Sequence, residues 1–249
     1  MVTHGLAKPP QTQLVLGVPI SLLDMQETLD SIESVIQCGG SGYVCTVDAS
    51  GAVMAAADPE LAEIYRSALL ATPDSHGVIW ALRHKGVLDC RRVSGIEIAD
   101  KMCAASSRKG YRVFFLGAAP GVAEEAAERI LLKHPGCRIV GTRNGFFTSE
   151  DDSLVAQEIA RAQPEILFVA MGIPRQEKFI ARWQATTGAN IAMGVGGTFD
   201  VMSGRIRRAP RWVQAIRCEW LWRLLQDPRK IAKVKLLPKF LLAVLREGK

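Results

Sequence analysis

An α/β fold built on a parallel, Rossmann-like sheet is predicted by three features of this 249-residue chain. Short apolar runs alternate with segments of helical period. Several runs are apolar throughout, as strands covered on both faces must be. Glycine-bearing turns follow the runs and lead into helices. Residues 1–13 are polar and proline-bearing and read as a flexible lead-in. Strands are then expected at residues 14–20, 43–47, 77–81, 112–117, 137–142, 165–171 and 190–195. Between them, residues 23–36, 59–70, 95–107, 122–134, 151–162 and 174–186 carry helical periodicity. Ser149 with Asp152 reads as a helix cap, and Pro174 suits a first helical turn. Residues 14–204 form the Rossmann-like domain on this reading. Ligands of such sheets sit beyond the carboxyl ends of the strands, where helix N-termini point.

Residues 205–249 differ from the rest in charge. They hold 13 Lys/Arg against Glu219, Asp227 and Glu247, a local charge of +10, whereas the first 204 residues carry 18 basic and 22 acidic groups. Trp212, Ile216, Trp220 and Leu224 recur at steps of four, and Ile231, Val234, Leu237, Leu241 and Leu245 extend an apolar stripe beside the cations. A basic, amphipathic helical appendage of this kind suits an anionic membrane surface. No run reaches the roughly 20 apolar residues of a membrane span, so contact is expected to be peripheral. The N-terminus shows no secretory signal, and six scattered cysteines without CxxC spacing read as reduced thiols of a cytoplasmic protein. A basic segment also attracts nucleic acid, but this one is rich in tryptophan and leucine, and the chain has no helix-turn-helix or RNA-binding signature. No nucleic-acid partner is expected. The alanines of residues 123–127 offer a face for a homo-oligomer.

Four places can carry chemistry. Residues 114–121 run from a strand through Gly117 into an acidic-started helix, which is either a phosphate-binding N-terminus or a plain tight turn. Gly172, Pro174, Gln176 and Glu177 end a strand and open a helix, so the amide and carboxylate either read sugar hydroxyls or cap the helix. Gly194, Gly196 and Gly197 follow another strand, with Asp200 and Arg205, Arg207 and Arg208 downstream. Such a loop allows close approach of a diphosphate, and guanidinium forks match its oxygens. Upstream, Thr46 and Asp48 follow a strand, and Asp74 in Pro73-Asp74-Ser75-His76-Gly77 is either a turn former or a general base. His76 is ambiguous in the same way.

Taken in order, these segments resemble the WecG/TagA/CpsF family of bacterial glycosyltransferases. The resemblance runs over residues 14–230, through Thr46-Val47-Asp48, Pro73-Asp74-Ser75-His76-Gly77-Val78, Arg92-Val93-Ser94-Gly95, Phe115-Leu116-Gly117, Asn144-Gly145-Phe146-Phe147, Met171-Gly172-Ile173-Pro174-Arg175-Gln176-Glu177, Gly194-Val195-Gly196-Gly197-Thr198-Phe199-Asp200, Arg208-Ala209-Pro210 and Glu219-Trp220-Leu221-Trp222-Arg223-Leu224. It implies transfer of a sugar from a UDP-sugar to a polyprenyl-diphosphate-linked saccharide at the cytoplasmic membrane face, for cell-surface polysaccharide synthesis. It also implies that residues 205–249 help to complete the site at the membrane. By position, Asp74 falls where the family has its proposed base, with Thr46 beside it. Gln176 and residues 194–197 fall in the donor site, and Arg208 and Arg223 where diphosphate charge is neutralised.

The chain departs from the family in three places. The family's Thr-x-Asn is Thr46-Val47-Asp48 here, Ser75-His76 replaces a small apolar pair, and Arg217-Cys218-Glu219-Trp220 replaces Gly-Leu-Glu-Trp. A membrane-tethered relic that has lost catalysis is therefore the alternative to an active enzyme. The expected mechanism is one inverting displacement without metal or cofactor, since no DxD triplet occurs and arginines can meet the leaving charge.

Overall fold

The computed structural model describes residues 9–207, 209–210, 221–222, 226 and 231–248. The α/β expectation holds. Strands β3 (Gly42–Val47), β4 (Leu70–Pro73), β5 (Arg112–Gly117), β6 (Arg138–Arg143), β7 (Ile166–Ala170) and β8 (Ile191–Gly194) form one parallel sheet in the order β4-β3-β8-β7-β5-β6. The chain first builds β3 and the edge strand β4, then β5 and the opposite edge β6, and lastly fills the middle with β7 and β8.

Side chains alternate across β5 and divide the core in two. Phe114 and Leu116 join one cluster, with α2 (Ala49–Ala55), α3 (Pro59–Arg66), α4 (His76–His84), α7 (Asp152–Ala162) and α8 (Arg175–Thr187). Val113 and Phe115 join the other, with α1 (Met25–Gln37), α5 (Gly95–Lys109), α6 (Val122–Lys133) and α9 (Thr198–Met202). A sheet covered on both faces explains why its strands read as continuous apolar runs rather than alternating ones.

Three local expectations are corrected. The single strand expected at 14–20 is a hairpin of β1 (Thr12–Val15) and β2 (Val18–Ser21), turned by Leu16 and Gly17 at φ of 51° and 78°. Two successive positive φ values match the right-handed twist of a hairpin. The hairpin covers the outer edge of β4, where Ser21 Oγ accepts a hydrogen bond from Ala71 N at 3.1 Å, so the edge is not left open. The strand expected at 77–81 is instead helix α4, and the true strand, β4, lies a few residues earlier at the end of an expected helix. Val78, Ile79, Ala81 and Leu82 are buried, a set at helical spacing that a short apolar run conceals. At α7, Asp151 occupies the cap position without a capping side-chain bond, and Asp152 turns to Arg175. Helices α2 and α9 were not foreseen.

Two further expectations concern surfaces. Ala123, Ala126 and Ala127 lie in the core, so this alanine face is not free for a second copy. The helices α10 (Ile231–Val234) and α11 (Leu236–Glu247) belong to the basic segment. In α11, Phe240 and Val244 are 1% and 0% exposed in the α2–α4 layer, while Leu241, Leu242 and Leu245 are 45%, 55% and 54% exposed. Apolar residues therefore occupy both faces of α11, and the stripe read from the sequence is split, with Leu237 inward and Leu241 and Leu245 outward. The helix end is tied down by Glu247, whose Oε2 lies 3.1 Å from Lys85 Nζ and accepts from Leu16 N at 3.1 Å. No helix among the described residues is long and apolar enough to cross a membrane.

Candidate active site

The carboxyl ends of β3 and β4 bring Thr46, Asp48 and Asp74 together. Parallel pairing sets Thr46 beside Thr72 and Val47 beside Pro73, so the residues that follow each strand emerge side by side. Asp74 N donates to Val47 O at 3.0 Å. The Asp74 carboxylate is half-buried, and its Oδ1 accepts from Gly95 N at 3.0 Å, at the start of α5. Arg92 Nη1 donates to the Asp74 carbonyl at 3.4 Å, and Val93 N to the Pro73 carbonyl at 3.0 Å. The 92–95 loop is thus folded around this aspartate. In the sequence Arg92 is one member of the Arg92-Val93-Ser94-Gly95 motif, and only the fold places its side chain, 18 residues away, against Asp74.

Thr46 is buried and acts as a tie: its Oγ1 donates to Gly194 O at 2.9 Å, joining β3 to β8. Its methyl group lies where a Cβ on Gly95 would come within 3.0 Å, which is why α5 begins with glycine. Asp48 caps α2, with Oδ1 accepting from Gly51 N at 2.7 Å and Ser50 Oγ at 2.6 Å. An asparagine carbonyl would make the same bonds, so the departure from Thr-x-Asn preserves the local fold. Ser75 Oγ accepts from Val78 N at 3.3 Å in α4 and from Ala49 N at 3.2 Å in α2. His76 begins α4. The N-termini of α2, α4 and α5 therefore meet around Asp48, Ser75 and Asp74, whose side-chain oxygens take up the first amides of these helices, and the macrodipoles favour the two carboxylates there.

The carboxyl ends of β7 and β8 form the second half. Gly172 and Gly196 have φ of 77° and 53°, and a Cβ on either would meet nothing within 4 Å. Both glycines satisfy backbone conformation and border open space. Behind them lies Gln176, 1% exposed. Its Oε1 accepts from Gly172 N at 3.1 Å and from Gly196 N at 3.0 Å, and its Nε2 donates to Glu177 Oε1 at 2.8 Å. A Cβ on Gly194 would fall 2.5 Å from Gln176 Nε2. The glycines that looked alike in the sequence thus do different work: Gly194 makes room for Gln176, whereas Gly196 shapes a turn. Gly197 holds the cap position of α9, and Asp200 lies in its first turn, its carbonyl accepting from Ile206 N at 2.8 Å.

Gly117 sits at the end of β5 with φ of 125°, where a Cβ would fall 2.4 Å from Ala170 O. Its need for glycine is the close approach of β5 to β7. Arg205 is engaged with Glu125 through two hydrogen bonds of 2.8 and 2.6 Å, and that guanidinium holds the Glu125 carboxyl below the usual carboxylate range. Arg207 is joined through its backbone to Gln226 and Trp222. Arg208 and Arg223 lie outside the described residues. Arg175 turns to Asp152, with Nη1 to Oδ2 at 2.7 Å, a pairing across 23 residues that no local pattern encodes.

Helices on both faces of a parallel sheet, with glycine turns and helix N-termini gathered at the strand carboxyl ends, define a doubly wound α/β protein. Residues 13–249 match the glycosyl transferase WecG/TagA/CpsF family, and the chain belongs to it. It is a glycosyltransferase. It is 30% identical over 240 residues to the N-acetylglucosaminyldiphosphoundecaprenol N-acetyl-beta-D-mannosaminyltransferase of Bacillus subtilis (strain 168), covering 96% of this chain and 93% of the relative. The protein of the same description from Bacillus spizizenii (strain ATCC 23059 / NRRL B-14472 / W23) is 33% identical over 204 residues, covering 82% of this chain and 79% of the relative.

Proposed function

We propose that the chain transfers a sugar from a UDP-sugar to a hydroxyl of a polyprenyl-diphosphate-linked saccharide, with Asp74 as general base. The observation that carries this reading is the Asp74 carboxylate held on Gly95 N, beside strand ends whose glycine turns border open space. The donor lies over the loops of Gly172, Gly194, Gly196 and Gly197, with Gln176, Glu177 and Asp200 in their support. The relatives' names point to N-acetylmannosamine as donor sugar and an N-acetylglucosaminyl-diphospho-undecaprenol acceptor.

In the reaction, the acceptor oxygen forms a bond to the anomeric carbon as Asp74 takes its proton. The bond from that carbon to the diphosphate oxygen breaks, and UDP leaves with the electron pair. One displacement inverts the anomeric centre, and a β-linked product from an α-linked donor requires that outcome. Arg208 and Arg223, helped by the helix macrodipoles at this end of the sheet, meet the growing diphosphate charge, a task for preorganised groups that needs no metal. The outward leucines of α11, beside Lys235, Lys239 and Arg246, suit a membrane carrying the lipid-linked acceptor, and this supports a peripheral enzyme working at the membrane surface.

The test is UDP release from a panel of UDP-sugars with a short-chain polyprenyl-diphosphate-linked saccharide in EDTA. Acceptor-dependent release from one donor is expected. UDP bound without release from any donor would favour the relic, and release that EDTA abolishes would overturn metal independence.

A further inference from the structure

We infer that Glu177 is a positioning residue of the donor site, and that its task is to hold the Gln176 amide in the one orientation that clasps both glycine turns. The inference rests on the placement of the donor over those turns.

Gln176 Oε1 is a single acceptor serving two backbone donors from different loops, Gly172 N after β7 and Gly196 N after β8. An amide is nearly symmetric in shape, and if it were reversed its NH2 group would face two N–H donors. Something must decide between the two orientations. The carboxylate of Glu177, 2% exposed, does so by accepting from Nε2 at 2.8 Å. A reversed amide would set its oxygen against that carboxylate and lose all three hydrogen bonds at once. Burial gives the choice its force, since water cannot replace a missing partner there.

The surroundings fit the same role. Cys45, also buried, has its thiol pushed well up by burial and then by the Glu177 charge, so it stays neutral beside the carboxylate. Helix α8 starts at Arg175, and its first turn thus carries both parts of the clasp on one rigid element. Adjacent residues in a helix do not face each other on its surface, and a bond between neighbours 176 and 177 exists here because Gln176 reaches inward under the loops. The inner side of both turns is fixed by one amide, and their outer side is left for a ligand.

The test uses the full chain with Glu177→Leu, Glu177→Gln and Gln176→Met, read by hydrogen exchange without ligand and by steady-state transfer. In Glu177→Leu, exchange of the peptides containing Gly172 and Gly196 is expected to accelerate together by about tenfold or more, while β3 and β5 stay protected. Donor KM should rise by about tenfold or more with acceptor KM unchanged. Glu177→Gln should restore both, because its side-chain oxygen can accept from Gln176 Nε2. Gln176→Met should release both turns, and adding Glu177→Leu to it should cause no further loss. The inference is overturned if only one turn responds to Gln176→Met, if the double variant shows an added loss, or if Glu177→Leu melts earlier with both turns still protected. The exchange pattern in a wild-type chain that releases no UDP would support the clasp and overturn only its link to the donor.

Discussion

Asp74 and Asp48 show how far residue identity alone carries. Each is an aspartate just past a strand, and each accepts a backbone N–H from a helix N-terminus. Asp48 has a second bond within its own turn, to Ser50, whereas Asp74 reaches 21 residues ahead to Gly95. Asp74→Asn keeps an oxygen for Gly95 N but cannot take a proton at neutral pH. Transfer should fall about 100-fold or more with UDP affinity within a few-fold, measured by single-turnover transfer and calorimetry; parental activity in this variant would remove Asp74 from the mechanism. For Asp48 the expectation concerns stability. Asp48→Ala should cost about 1 kcal/mol in urea unfolding and Asp48→Asn almost nothing. A large loss of transfer in a fully stable Asp48→Asn would show that the carboxylate itself takes part in chemistry. Glycines were equally indistinct in the sequence. Only the neighbours of each missing Cβ separate the packing glycines 117 and 194 from the open ones 172 and 196.

Among the elements, β5 and the helices that start at Pro59, Gly95 and Val122 were legible, because long periodic or wholly apolar segments leave little ambiguity. The 14–20 hairpin and α4 were not. A two-residue turn made by Leu16 and Gly17 lacks the usual Asn-Gly signal, and five apolar-rich residues fit either period. Helix α11 carries the sharpest element-scale expectation, since its two apolar faces meet different surroundings. Phe240→Ala removes a ring that is 1% exposed and packed near Gly77. It should cost about 3 to 5 kcal/mol, seen as earlier urea unfolding or faster proteolysis after residue 230. Leu241→Ser with Leu245→Ser should change stability by about 0.5 kcal/mol or less each but weaken binding to phosphatidylglycerol liposomes. Unchanged liposome binding would remove the outward face from membrane contact.

At the scale of the whole molecule, the amino end of the sheet lies opposite the proposed site. The amino ends of β5 and β7 are joined by Arg112 and Glu165, at 3.0 Å from Nε to Oε2 and 2.9 Å from Nη2 to Oε1. Partial burial opposes ionisation of Glu165, but the hydrogen bonds from Arg112 outweigh it and hold the carboxyl below its usual 4.5. A depressed folded value adds stability that is complete above the ordinary value and is lost as pH falls through the depressed one. Glu165→Gln should therefore lower stability near neutral pH and flatten its decline below about 4.5, followed by urea unfolding across pH, with transfer unaffected because the proposed site is at the other end. An unchanged acid limb would mean that the pair contributes nothing to stability. The sequence by itself determined the α/β class, the order of the six sheet strands' apolar segments apart from β4, the basic tail and the family, because these depend on composition, period and motifs that survive without coordinates. Only the tertiary structure decided that Asp74 meets Gly95, that Gln176 joins two loops and that Phe240 faces inward. Each of those contacts joins residues brought together by strand order and helix packing, which local sequence does not encode.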